Sequence, residues 1–171
     1  MTNRINEQTS GVYIISATPF RNNGDIDFES ADRLTDFYIE KNVSGITILG
    51  MMGEANKLSV SESIKFMRRV IKRVDGQVPV VVGISNTGMD NLASLSYEAM
   101  DLGGAGVMIS PFAAQKTDTA IYNYFSAVAD KLGDDIPLVY QDFPLATNAN
   151  VSVDCLMRIV RDIPQVVMLK H

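Results

Sequence analysis

Two side chains in this sequence could run carbonyl chemistry together, Lys170 and Tyr140. Lys170 closes the apolar run Val166-Val167-Met168-Leu169. A lysine amine attacks a ketone only in its neutral form, which apolar walls favour by disfavouring the ammonium. Tyr140 stands near the end of another apolar run, residues 136–141, and a phenol there can pass protons if its surroundings hold its pKa down from about 10. Each residue also has a plainer reading. A lysine at a strand end can mark the exit to solvent, and a tyrosine there can be half-buried with a wet tip.

A third feature is Gly50-Met51-Met52-Gly53-Glu54. Its two glycines let the backbone turn tightly and offer N–H groups to an anion such as a carboxylate, although a simple tight turn has the same signature. His171 is the sole histidine and follows Lys170. If Lys170 points inward, strand alternation turns Met168 and Val166 inward and His171 outward, which counts against a catalytic histidine. Asp142 has no carboxylate partner at motif spacing, so paired-carboxylate chemistry is not indicated. No cluster of metal-ligating residues is seen in the sequence.

The elements that must position these residues alternate strictly. Apolar strands are read at 11–17, 45–50, 79–84, 105–110, 136–141 and 165–170. Between them fall helical stripes such as Phe28, Ala31, Leu34 and Tyr38, or Ile64, Met67, Val70, Ile71 and Val74. Ser59 and Glu62 have the spacing of a capping box, and Asp90 or Asn91, Thr117 or Asp118, and Ser152 are further cap candidates. Lys65, Arg68, Arg69, Lys72 and Arg73 fall on the wet side of the second helix and read as a solvated face. The strands are continuously apolar rather than alternating, which argues for a parallel sheet covered by helices.

Two α/β architectures fit that order, a doubly wound open sheet and a (β/α)8 TIM barrel. No strand is followed by G-x-G-x-x-G, which counts against the open sheet. A barrel of this kind usually takes about 250 residues, and this sequence has 171. The expectation is therefore a polar, frayed tail over 1–10. Residues 11–171 then supply the first six strands and five helices of a single barrel domain whose C-terminal part is absent.

The composition, 46% hydrophobic and 20% charged, is that of an ordinary globular chain. A net charge of −5 favours neither nucleic acid nor an anionic membrane as partner. No apolar run reaches the roughly 18 residues of a spanning helix, and the first ten residues lack a signal-peptide core. The single cysteine, Cys155, cannot form an internal disulfide, in keeping with a reducing cytoplasm.

The residues also carry a family pattern. Ser16-Ala17-Thr18-Pro19-Phe20, Gly50-x-x-Gly53-Glu54, the aromatic-proline segment after Tyr140, and Lys170 about 30 residues further on resemble the dihydrodipicolinate synthase and N-acetylneuraminate lyase family of Schiff-base (class I) aldolases. The resemblance runs from about Gly11 to Lys170. It implies a (β/α)8 barrel, usually a homo-oligomer (dimer or tetramer), and a small 2-keto acid such as pyruvate as ligand. Lys170 would form the imine, Tyr140 would shuttle protons, and Gly50, Met51, Met52 and Gly53 would hold the keto acid's carboxylate. The protonated imine is the electron sink, so no cofactor is implied.

Three departures stand out. Met51 and Met52 replace the hydroxyl residues common between the two glycines. Ser110-Pro111-Phe112-Ala113 lacks the tyrosine of the synthases' S-P-Y-Y segment, and Pro144-Leu145-Ala146-Thr147 lacks their arginine. All three fall on parts that serve aspartate semialdehyde, which leaves synthase activity proper open. The functional expectation is a carbon–carbon (or carbon–oxygen) lyase of class I aldolase type acting on pyruvate or a related 2-keto acid. The alternatives are a sugar-acid aldolase or dehydratase, a non-catalytic or regulatory keto-acid-binding barrel, and a phosphate-binding barrel with an unrelated site.

Overall fold

Every strand pairs in parallel with the strand that follows it in sequence, so the sheet runs in the order β1 to β6. That order decides between the two architectures, because a doubly wound sheet reverses direction at its switch point and a barrel does not. The computed structural model describes residues 4–171. The strands are β1 (Tyr13–Ile15), β2 (Gly45–Ile48), β3 (Val80–Gly83), β4 (Gly106–Ile109), β5 (Leu138–Gln141) and β6 (Val166–Lys170). The helices are α1 (Phe28–Glu40), α2 (Val60–Val74), α3 (Met89–Asp101), α4 (Asp118–Leu132), the single turn α5 (Pro144–Thr147) and α6 (Val153–Asp162). The five long helices match the expected ones. The extra turn α5 starts where Pro144 occupies a first helical position, which suits its fixed φ.

Local signals explain most boundaries. Ser59 caps α2 in a reciprocal capping box with Glu62, and Thr117 and Ser152 cap α4 and α6. α3 differs from expectation. It begins after Gly88 with no side-chain cap, so neither Asp90 nor Asn91 serves. The basic face of α2 does more than meet solvent. Arg69 clamps Asp32 at 2.8 and 2.6 Å, and Arg73 and Arg68 pair with Asp36 and Glu98, tying α2 to α1 and α3.

The sheet has two apolar faces of unequal size. Its outer face carries Ile46, Ile48, Val80, Val82, Val107, Ile109, Leu138, Tyr140 and Val166, packed against Phe66, Met67, Leu92, Ile121, Phe125 and Ile159 from the helices. The smaller inner cluster is Ile5, Val81, Ala105, Met108 and Val139, with Tyr13, Val167 and Met168 against it. Ile5 corrects the expectation of a frayed tail over the part of residues 1–10 that is described. It is 3% exposed, its N–H donates to the Ala105 carbonyl at 3.0 Å, and its side chain seals the inner cluster. An apolar side chain with a hollow to fill outweighs the polar residues around it. The first three residues of that expected tail lie outside the described residues.

β6 holds a second difference. Leu138 pairs with Val166, but Val139 pairs with Met168, so one extra residue is accommodated at Val167. The bulge puts Val166 on the outer face, not the inner one that uninterrupted alternation would give it.

Candidate active site

The register of β5 and β6 places the lysine. Val139 and Met168 pair and both belong to the inner cluster. Gln141 and Lys170 also pair, two residues further along the same strands, so they share that inner face at the C-terminal end of the sheet. Lys170 is partly buried, and its amine lies 5.5 Å from the centre of the Phe143 ring. Among the described residues no carboxylate comes within ion-pairing distance of it. His171 is exposed and bonds to Asp142 at 3.0 Å, away from the inner face as expected.

Tyr140 is not in this site. It pairs with Leu169, one residue out of phase with Lys170, and therefore faces the helices. It is 0% exposed, stacked on Phe125 with centroids 4.4 Å apart, and its hydroxyl has no hydrogen-bond partner among the described residues. Burial pushes its pKa upward, with the nearby Asp142 carboxylate adding to the effect. A proton shuttle needs the opposite shift and a place beside the substrate. The structure does not bring Tyr140 to the lysine's face of the sheet, and the strand's inward polar residue at this level is Gln141.

The Gly50–Gly53 turn divides in two. Leu49 leaves β2 with φ of 55°, a left-handed conformation. Gly83 makes room for it, since a Cβ there would lie 2.1 Å from the Leu49 carbonyl oxygen. Gly50 and Met51 then line a cavity, whereas the Met52 side chain is 62% exposed and Gly53 is buried behind the turn, its carbonyl accepting from Thr18 Oγ1 at 2.7 Å. The Met51 and Met52 N–H groups have no acceptor among the described residues. Backbone donors for an anion are therefore present, but the Met52 side chain and Gly53 do not wall the cavity as expected.

The cavity has a volume of about 610 Å³ and opens at the C-terminal ends of β2 to β5. A smaller hollow of about 270 Å³ lies on the inner face beside Lys170, Tyr13 and Thr47, and Met108 borders both. At the larger cavity's base Ser110 follows β4 next to Gln141. Its N–H donates to Ser85 Oγ at 3.0 Å, and the two hydroxyls are 3.2 Å apart. Sequence reasoning missed Gln141 and Ser85. The available signal was a polar residue closing a buried strand at the end where such folds keep their sites.

Comparisons with known proteins show the family and the fold. A profile described as the Dihydrodipicolinate synthetase family matches residues 8–171. A 4-hydroxy-tetrahydrodipicolinate synthase of Laribacter hongkongensis is 32% identical over 162 residues, covering 94% of this chain and 55% of the relative. Among solved structures, a dihydrodipicolinate synthase from Rhodopseudomonas palustris superposes with a TM-score of 0.94 at 40% identity, over 98% of this chain and 56% of the other. A prophage protein of the dihydrodipicolinic acid synthase family from E. coli K12, solved in complex with pyruvate, gives 0.87 at 25% identity over 95% and 54%. The chain spans a little over half the length of these relatives.

Proposed function

The chain belongs to the dihydrodipicolinate synthetase family, and from that premise we propose that it serves a Schiff-base lyase or aldolase acting on pyruvate or a related 2-keto acid. The observation that carries the reading is Lys170, set on the inner face at the C-terminal end of β6 and in register with Gln141. Its amine adds to the ketone carbon and water leaves, giving an imine. Loss of a proton from the neighbouring carbon then gives an enamine that can attack an aldehyde, and the reverse sequence cleaves one. The free N–H groups of the Met51–Met52 turn are the candidate donors to the keto acid's carboxylate. Phe143 borders the amine, its ring centre 5.5 Å away. The synthase relatives and the relative bound to pyruvate support the keto-acid half of this reading. The same reading carries with it a cytoplasmic homo-oligomer.

The test is reduction with borohydride in the presence of pyruvate, followed by mass mapping. The expected product is a secondary amine on Lys170. No adduct with any of several 2-keto acids would overturn the reading.

A second reading, a barrel that binds keto acids without turnover, is favoured by one observation. Among the described residues no carboxylate lines either hollow, and the one phenol, Tyr13 in the hollow beside Lys170, has its pKa raised by burial, which disfavours a proton relay. Exchange of pyruvate's methyl protons for deuterium separates the two, because exchange requires the imine to lose and regain a proton. Adduct formation without exchange selects the binder.

A further inference from the structure

Resting on Lys170 as an imine-forming lysine and on the Met51–Met52 turn as the seat of the keto acid's carboxylate, we infer that Thr18 is the positioning residue of that turn, its hydroxyl holding the backbone donors where they meet a carboxylate. The Thr18-Pro19-Phe20 segment has no part in the imine chemistry itself. Ser16 extends the pairing of β1 with β2, its N–H donating to the Thr47 carbonyl at 2.8 Å. Two residues on, Thr18 is 4% exposed, and its Oγ1 donates to the Gly53 carbonyl at 2.7 Å across 35 residues of chain. Pro19 restricts the residue before it to extended backbone, so few conformations compete with the one that aims this hydroxyl. The Pro19 carbonyl is itself held, accepting from the Asp27 N–H at 2.9 Å.

The turn needs such a hold. The left-handed φ of Leu49 is uncommon for a side chain of its bulk and persists only where the surroundings enforce it. Gly83 makes room for that conformation but does not fasten it. The Glu54 N–H donates to the Met51 carbonyl at 3.0 Å, which closes the turn on itself. Among the described residues, the bond from Thr18 is the one side-chain hydrogen bond that residues 49–53 receive. The turn also reaches the lysine's side of the molecule. A Cβ at Gly50 would lie 3.1 Å from the Met108 side chain and 3.7 Å from that of Ile15, and both side chains line the hollow beside Lys170. Donors held in place beforehand bind an anion better than donors that must first be ordered. Without the hydroxyl, the buried Gly53 carbonyl loses its donor and the turn loses its tie to the β1 loop. The ketone end of the substrate, bonded at Lys170, does not depend on that tie. Removing the hydroxyl should therefore weaken the hold on the carboxylate and spare the ketone.

The experiment compares pyruvate with pyruvamide, a neutral ketone of the same size, by the concentration that half-saturates borohydride trapping on Lys170 of the purified protein. The wild type is expected to half-saturate at a concentration at least about tenfold lower with pyruvate. In Thr18→Val, which keeps the shape and removes the hydroxyl, the two values should come within about threefold of each other through a rise in the pyruvate value. Thr18→Ser, which keeps the hydroxyl, should hold the wild-type ratio, and Thr18→Ala carries the same test if the valine variant does not fold. A purely structural role would raise both values together and leave their ratio standing. That result, or no preference for pyruvate in the wild type, or loss of the preference in the serine variant, overturns the inference while leaving the imine reading intact. Absence of a Lys170 adduct with both compounds in the wild type overturns both.

Discussion

The two faces of the sheet are built from the same kinds of strand and do different work. The outer face buries aliphatic and aromatic side chains against the helices, and even its one phenol, Tyr140, is packing material stacked on Phe125. The inner face is thinly filled below, where Ile5 closes it, and turns polar above, where Ser110, Gln141 and Lys170 follow one another across β4, β5 and β6. Adjacent residues on one strand therefore belong to separate economies. Tyr140 contributes to holding the fold together, and Gln141 faces whatever binds. Polar residue type alone does not mark a site. The face of the strand on which it falls does.

Substitutions on the two faces should separate stability from chemistry. The largest effect on the inner face is predicted for Lys170→Ala, which should abolish reductive trapping with pyruvate while leaving the thermal transition near that of the wild type, since the side chain is only partly buried and pairs with no carboxylate among the described residues. A residual adduct on another lysine would break the assignment. On the outer face Phe125→Ala should cost about 3–5 kcal/mol in denaturant unfolding, because it opens a cavity under Tyr140 between α4 and the sheet. Its trapping at Lys170 should persist wherever the variant is folded.

Alkaline pH sharpens the contrast less strongly. The hydroxyls of Tyr124 and Tyr140 are buried with no hydrogen-bond partner among the described residues, and burial raises the pKa of both. The folded state then holds these protons to higher pH than the unfolded chain, whose phenols titrate near about 10. Their contribution is fully present below that value and is lost as pH rises beyond it, so stability should decline above about pH 10. Ultraviolet titration should show these two phenolates appearing only as the protein unfolds. Six phenols titrating together in the folded state would contradict their burial.

Much of the architecture was legible in the sequence because burial leaves a periodic trace. Helix stripes such as Ile64, Met67, Val70 and Val74, and caps such as Ser59, are local signals, and the structure meets them where they were read. The polar character of residues 1–10 concealed Ile5, whose burial depends on a hollow formed by β3, β4 and β5 far away in sequence. The face of each residue at the strand ends was harder still. A run such as Leu138-Val139-Tyr140-Gln141, buried on both sides, has no polar alternation to show which residues point inward. Lys170 is the last residue of its strand, as expected, but the bulge at Val167 shows that counting back from it fails within four residues. The choice between Tyr140 and Gln141 rests on the pairing of β5 with β6, a non-local fact.

The smallest predicted effect is also the most direct test. Tyr140→Phe removes a hydroxyl that bonds to none of the described residues, so it should leave stability unchanged or raise it by about 1 kcal/mol. The decisive measurement is the rate of pyruvate trapping on Lys170 in this variant against the wild type. If the chemistry belongs to the inner face alone, the two rates agree within about twofold, which is less than about 0.5 kcal/mol in the barrier. A loss of tenfold or more with undiminished stability, or about 1.4 kcal/mol, would return the phenol to the mechanism and contradict the division between the two faces.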